Sequence, residues 1–156
     1  MLFGKKHTVP HKKETESFFK YRDSLTGLFN REAAFKEYER IKHIGGYWAV
    51  TVRVSGCDSL PYYKACRYIK RAGELVQRIC EENVARIENG DFILFCKHGG
   101  AVCNKLSFFL KRFSFGDEVY TAVCDTLDKN ESFEKLLRRI QRHAGAAELG
   151  NMMQML

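Results

Sequence analysis

The sequence is poor in proline and has no long apolar run. Two of the 156 residues are proline and twelve are glycine, which is too few for a long disordered segment or a fibrous repeat. The longest uninterrupted apolar run, residues 92–96, is far shorter than the roughly 18 residues that a membrane-spanning helix needs. No apolar stretch typical of a secretory signal follows Met1. We therefore expect one cytoplasmic domain without a transmembrane segment.

The cysteines include no Cys-x-x-Cys pair, so zinc-ribbon spacing is absent. Several of them lie within apolar segments, where a free thiol packs as a small hydrophobic group. We expect reduced thiols rather than disulfides. The six positions are Cys57, Cys66, Cys80, Cys96, Cys103 and Cys124.

Basic residues outnumber acidic ones, and the excess is uneven. The formal net charge is +7, from 26 Lys and Arg against 19 Asp and Glu. Residues 1–22 alone hold six Lys or Arg and two Glu. A basic arm of this kind binds phosphates or anionic lipid in a salt-dependent way, whereas a solvated, mobile terminus is the simpler interpretation. We expect residues 1–12 to be a basic flexible tail.

Apolar periodicity predicts the order helix, strand, helix, hairpin, helix, strand, helix after a linker helix at residues 13–22. Asn30 is the expected N-cap of the helix that follows it. Asn89-Gly90 joins two strand-like runs, which predicts a type I′ turn with positive φ at both residues. The predicted strands are 47–55, 83–88, 91–96 and 118–124, and the long helices include 63–81 and 131–149.

This order predicts an α/β (α+β) fold with a mixed central sheet flanked by helices. Its β-α-β-β-α-β core corresponds to a ferredoxin-like plan. The final helix is expected to turn six apolar side chains inward. These are Phe133, Leu136, Leu137, Ile140, Ala144 and Ala147.

Residues 23–31, DSLTGLFNR, resemble the opening signature D-x-L-T-G-L-x-N-R of GGDEF domains, the diguanylate cyclase family. A second segment, 86–92, lies where that family has R-x-G-G-D/E-E-F. The resemblance implies a GGDEF domain at residues 23–152 with the nucleotidyl cyclase palm fold. The signature positions present are Asp23, Leu25, Thr26, Gly27, Leu28, Asn30 and Arg31, and we expect them to hold the loop between two helices.

The resemblance also implies a chemistry, because this family joins two GTP molecules into cyclic di-GMP with two divalent metals. Carboxylates hold such hard cations, and bare glycines let phosphate approach the backbone. This chain differs at the hairpin. Glu88 and Asn89 stand at the two glycine positions, and Gly90 stands at the acidic metal-ligand position. Asp91, followed by Phe92, is the one acidic remnant of a metal site.

The other implied ligand positions differ as well. Arg53 and Ser55 replace the two aspartates at the end of the first strand, and Pro61 replaces the asparagine that reads guanine. Glu148 stands at the phosphate-binding lysine. Arg53 is predicted to pair with Glu88 or Asp91 across neighbouring strands. The family's product-binding pattern, R-x-x-D shortly before the hairpin, is not preserved. Its Arg position falls on Ile79 and its Asp position on Glu82, and Arg78 is one residue away.

We therefore expect a catalytically inactive, degenerate GGDEF domain with a regulatory or protein-interaction role in cyclic di-GMP signalling. No cofactor is expected, Mg²⁺ being required only if the site is active. A protein partner, either a second copy or another GGDEF-type domain, is expected, and any nucleotide binding is expected to be weak.

Two alternatives remain open. One is an active diguanylate cyclase with an unusual site. The other is a nucleic-acid-binding module, since the sequence pI is about 9.1 and ferredoxin-like sheets bind RNA. An RNA-recognition strand needs a basic and aromatic pattern that residues 88–91 do not supply, so we do not expect nucleic acid as the partner.

Overall fold

The computed structural model describes residues 20–113 and 118–154. The predicted tail 1–12 and residues 13–19 of the predicted linker helix lie outside the described residues. Tyr21 and Arg22, which end that predicted helix, lie in a turn and in an isolated bridge to Phe29.

From Arg31 onward, the described residues form four α-helices and four β-strands in the predicted order. Each boundary lies within a few residues of its prediction. The elements are α1 (Arg31–Ile41), β1 (Trp48–Ser55), a 3₁₀ turn (Cys57–Ser59), α2 (Tyr62–Ile79), β2 (Ala85–Glu88), β3 (Asp91–Cys96), α3 (Gly99–Phe113), β4 (Val119–Thr126) and α4 (Phe133–Gln154).

Side-chain caps begin the first and last of these helices. Asn30 accepts a hydrogen bond from the Ala33 amide at 3.0 Å, as predicted. Ser132 accepts one from the Lys135 amide at 3.2 Å, so α4 begins two residues later than the sequence predicts. Both caps satisfy amides that a helix leaves without an internal partner.

The sheet has the order β2-β3-β1-β4, and the β-α-β-β-α-β plan is confirmed. One detail of the prediction was wrong, because the sheet is not mixed. All three strand pairings among the described residues are antiparallel. The helical crossover α2 does bring β2 parallel to β1, but β3 returns between them and pairs with both. Among the described residues, a parallel contact remains only as the bridge between Phe29 and Ala85.

The turn between β2 and β3 also differs from its prediction. Asn89 has the expected positive φ, +44°, but Gly90 does not. A β-bulge shifts the register between Arg86 and Glu88, so that Glu88 faces Asp91. The two-residue turn therefore has one left-handed residue rather than the two of a type I′ turn.

Side chains that alternate along each strand divide the core into two layers. Val50, Val52 and Val54 of β1 pack against α2 and α3, whereas Ala49 packs with α1 and α4. Five of the six apolar residues predicted to face inward on α4 are buried, and Ala147 is half-buried. The sheet is thus covered on both faces, and Arg53 and Ser55 point toward α4. Within the described residues, no helix combines the length and hydropathy needed to span a bilayer.

Candidate functional site

The loop over residues 23–31 is held by its own polar side chains. One carboxylate oxygen of Asp23 accepts hydrogen bonds from the Thr26 amide at 2.8 Å and from the Thr26 hydroxyl at 2.7 Å. The other oxygen accepts one from Arg86 Nη1 of β2 at 2.9 Å. Gly27 completes the loop with φ of +75°. Asp23 therefore joins the loop to the edge of the sheet.

The remaining signature residues fix the position of α1. Leu25 and Leu28 pack against the α2 side of the core. The Asn30 amide group donates to the Lys20 carbonyl at 2.7 Å while its oxygen caps α1. Arg31 donates to Glu134 of α4 at 2.7 Å in an exposed ion pair. All seven signature positions are thus explained by contacts within the chain.

Arg53 and Asp91 face each other across neighbouring strands, and their side chains form a two-pronged ion pair. Arg53 Nε lies 2.7 Å from Asp91 Oδ1, and Nη2 lies 2.9 Å from Oδ2. The Asp91 side chain is 8% exposed and that of Arg53 is 21% exposed. One of the two predicted pairings of Arg53 is therefore confirmed, and Asp91 presents both oxygens to a guanidinium.

This arrangement also fixes the charge state of Arg53. The hydrogen bonds that Arg53 donates to Asp91 raise the pKa of the guanidinium above its ordinary value, although partial burial opposes them. The nearby charges of Glu148 and Glu88 raise that pKa further. Arg53 remains a fixed cation under all physiological conditions.

Two glutamates flank the pair and are themselves held by hydrogen bonds. Ser55 donates to Glu148 Oε2 of α4 at 2.7 Å. Gln141, also on α4, donates to Glu88 Oε1 at 2.5 Å. These residues line a cleft of about 360 Å³ between the β2–β3 turn and α4. Its ionisable lining residues are Arg53, Cys57, Asp58, Glu88, Asp91 and Glu148, so carboxylates outnumber cations.

The cleft does not fit a two-metal centre. A divalent metal needs carboxylate oxygens that are open to it, and both oxygens of Asp91 are bonded to Arg53. No cluster of three or more His, Cys, Asp or Glu side chains among the described residues has the arrangement of a metal site. Instead, the ion pair between Arg53 and Asp91 occupies this part of the cleft.

Of the other predicted site positions, two line this cleft and two do not. Asn89 and Gly90 form its rim, whereas Phe92 is buried in the core at 1% exposure. Pro61 precedes the first residue of α2 and is exposed, outside the residues that line the cleft.

Sequence reasoning missed two contributors on α4. Gln141 bonds to Glu88, and a Cβ on Gly145 would lie 3.4 Å from Arg53 Nη1. The signal was present, because residues 141, 145 and 148 are spaced four and three apart and therefore share one helix face. The prediction for α4 considered only the apolar residues that face the core, so it did not include this polar face.

Comparisons with known proteins identify the fold. No protein-family model matches the sequence, and no curated protein matches it in sequence. Solved structures do match. The coiled coil and GGDEF domain of DgcB from Caulobacter crescentus, in complex with c-di-GMP, has a TM-score of 0.74 at 16% identity, over 88% of this chain and 85% of that chain.

Two structures from Pseudomonas aeruginosa agree. The FimX GGDEF domain has a TM-score of 0.68 at 16% identity, over 81% of this chain and 93% of that one. The diguanylate cyclase SiaD, in complex with its activator SiaC, has a TM-score of 0.66 at 17% identity, over 91% of this chain and 63% of that one. The chain therefore has the fold of a GGDEF-like domain, as the resemblance of residues 23–31 predicted.

Proposed function

We propose that this chain is a GGDEF-like domain without cyclase activity, which acts through protein contacts in cyclic di-GMP signalling. The observation that supports this most is the ion pair between Arg53 and Asp91. It places a cation where the resemblance implies a metal-binding carboxylate and engages the acidic residue that the hairpin retains. Removing a single group that stabilises transition-state charge costs about 10²–10³ in rate, and here several implied groups are replaced together.

The glutamates of the cleft support the same proposal. Glu88 and Glu148 lie where the resemblance implies a glycine and a phosphate-binding lysine, and both are held toward the cleft by hydrogen bonds. A nucleotide triphosphate carries several negative charges, so each carboxylate repels it. We therefore expect no productive binding of GTP with magnesium.

Turnover is the first test. The full chain is incubated with GTP and either Mg²⁺ or Mn²⁺, next to an active diguanylate cyclase as positive control, and cyclic di-GMP is measured by chromatography. We expect no product from this chain. Accumulation of cyclic di-GMP in proportion to enzyme concentration would show the alternative, an active cyclase with an unusual site.

A metal-binding experiment tests the reason for inactivity. Arg53→Asp removes the guanidinium and adds a second carboxylate beside Asp91, whereas Arg53→Ala only removes the guanidinium. We expect the Asp variant to bind Mn²⁺ more tightly than both the Ala variant and the unmodified chain, as measured by calorimetry on folded protein. Equal Mn²⁺ binding by all three proteins would mean that Arg53 does not exclude metal.

The expected partner is a protein, either a second copy or another GGDEF-type domain. SiaD, which shares the fold, was solved with a protein activator, and DgcB was solved with c-di-GMP. Light scattering of the full chain measures self-association, and calorimetry against GTP, GDP, ATP and c-di-GMP measures nucleotide binding. Tight binding of any of these nucleotides would favour a nucleotide sensor over a module that binds protein alone.

A further inference from the structure

The two helical layers of the domain differ in charge. Helices α2 and α3, which cover one face of the sheet, hold eight Lys or Arg and a single Glu. Helices α1 and α4, on the other face, hold seven Lys or Arg and five Glu. The basic excess of the folded part is therefore concentrated on the α2–α3 face rather than spread over the surface.

The cations of the two layers also differ in pairing. In the α1–α4 layer, Arg31, Arg40 and Arg139 form ion pairs with glutamates at 2.6–2.7 Å. In the part of the chain that the structure describes, Lys64, Arg67 and Lys70 of α2 have no ion-pair partner, and all three are exposed. A recess of about 470 Å³ beside α2 is lined by four cations and only one acid; its residues are Lys64, Arg67, Tyr68, Lys70, Arg71 and Glu74.

Exposed phenylalanines lie on the adjoining helix. Phe108 is 53% exposed and Phe113 is 49% exposed. Arg112 lies over the Phe108 ring at 4.5 Å from its centroid. Arg71 donates to the Phe113 carbonyl at 3.4 Å, which connects the basic part of α2 to the end of α3. We call Lys64, Arg67, Lys70, Phe108, Arg112 and Phe113 the basic–aromatic surface.

The geometry points to an anionic lipid bilayer as the partner of the basic–aromatic surface, which would make this domain a peripheral membrane-binding module. Basic side chains near a bilayer are attracted to acidic headgroups. Phenyl rings that have no polar atom gain by entering the boundary between headgroups and acyl chains. The combination of unpaired cations and adjacent exposed rings fits this interface, and neither feature is used by the cleft beside Asp91.

Nucleic acid shares the negative charge but fits the rings less well. Single-stranded nucleic acid needs free aromatic faces on which bases stack. Here Phe108 packs edge-to-face on Phe109 at 5.2 Å, Phe109 is stacked with Phe113 at 6.2 Å, and Arg112 covers Phe108. The sheet surface that RNA-recognition domains use is covered by helices on both faces of this domain.

Vesicle sedimentation tests the proposal with the full chain. The probes are phosphatidylcholine vesicles with and without phosphatidylserine, and the charge variant is Arg67→Glu with Lys70→Glu. Its matched control is Arg138→Glu with Arg142→Glu, which changes the net charge equally on exposed residues of α4. We expect binding only to vesicles that contain phosphatidylserine. The charge variant should lower the partition coefficient by more than about tenfold, and the control should lower it much less.

A second pair of variants tests the rings. Phe108→Ser with Phe113→Ser should weaken vesicle binding severalfold at high salt, where charge attraction is screened. The control is Ile44→Ser with Leu149→Ser, two exposed apolar residues outside the basic–aromatic surface, and it should leave binding unchanged. Circular dichroism confirms that each variant is folded.

Three results would overturn the proposal. The first is no binding to phosphatidylserine vesicles at low salt. The second is an equal loss from the α4 control, which would indicate attraction by net charge alone. The third is weak binding to vesicles together with tight binding to single-stranded DNA or duplex RNA. In that case, the charge variant would abolish the binding of nucleic acid and the phenylalanine variant would leave it intact.

Discussion

Two aspartate–arginine pairs lie close together at the β2–β3 hairpin, where Arg86 faces Phe92, the neighbour of Asp91, and they have different consequences. Asp23 pairs with Arg86 at 2.9 Å and also accepts two hydrogen bonds from Thr26, so it closes a loop. Asp91 pairs with Arg53 through both of its oxygens, and no other hydrogen bond to its carboxylate is formed among the described residues. The first pair lies in the loop over residues 23–31, whose polar side chains bond to one another and to β2. The second fills a position where the resemblance implies ligand chemistry. Similar side chains therefore hold a loop in one pair and join two neighbouring strands in the other.

The largest expected effect comes from breaking the second pair. Arg53→Ala leaves the buried Asp91 carboxylate without its cation, which costs about 3–5 kcal/mol in the free energy of unfolding. Urea denaturation measures it. A double variant, Arg53→Met with Asp91→Leu, should be clearly more stable than Arg53→Ala because no unpaired charge remains. Equal stability of the single and double variants would show that the pair is not the source of the loss.

The next effect concerns the glycine beside Asp91. A Cβ on Gly90 would lie 2.6 Å from Val54 Cγ1 and 2.7 Å from the Val54 carbonyl oxygen, and that backbone is held by a hydrogen bond from the Val54 amide to the Gly90 carbonyl at 2.9 Å. Gly90→Ala should cost about 3 kcal/mol in unfolding free energy, as overpacking does. Gly100→Ala is the control, because nothing lies within 4 Å of its Cβ position and alanine favours the helix.

Breaking the first pair should cost somewhat less. Asp23→Ala removes the acceptor for Thr26 and leaves Arg86, whose side chain is 19% exposed, without its carboxylate. We expect a loss of about 2 kcal/mol, typical of hydrogen bonds to charged groups. Thermal unfolding measures the loss, and Asp23→Asn should recover part of it. A loss as large as that of Arg53→Ala would contradict the difference between the two pairs.

The smallest effect is expected at the glycine of the first loop. Gly27 has φ of +75° with open space around its Cβ position, so alanine there meets backbone strain without a clash. Gly27→Ala should cost about 1 kcal/mol in unfolding free energy. Gly27→Asn should cost less, since asparagine tolerates the left-handed region better. A larger loss of stability from Gly27→Ala than from Gly90→Ala would contradict the expectation that the clash at Gly90 costs more than the backbone strain at Gly27.

Much of the fold could be predicted because its signals are local. Apolar periodicity located every long helix and strand, and the Asn30 cap required only its neighbours. These features depend on spacing along the chain. The pairing of Arg53 with an acidic residue was predicted on another ground, because the resemblance implies a metal-binding carboxylate at the position of Arg53.

The features that could not be predicted depend on approach between distant segments. Gly90 lies so close to Val54 that a Cβ would clash, which explains the glycine. The sequence predicted a different reason, a positive φ in the turn. The insertion of β3 between β1 and β2 made the sheet antiparallel. The basic–aromatic surface arises because α2 and α3 share one face of the sheet. In the sequence as a whole, acidic residues in other segments offset the positive charge of these two helices, so the surface is not evident.

The guanidinium of Arg53 differs from a magnesium ion in one further respect, because it is covalently part of the chain. It cannot be lost to a chelator or diluted away, and every molecule carries it from the moment of folding. Under the proposed function, the shape and charge at this end of the sheet would therefore not change with the supply of magnesium in the cell, and a protein partner would meet the same surface in either case.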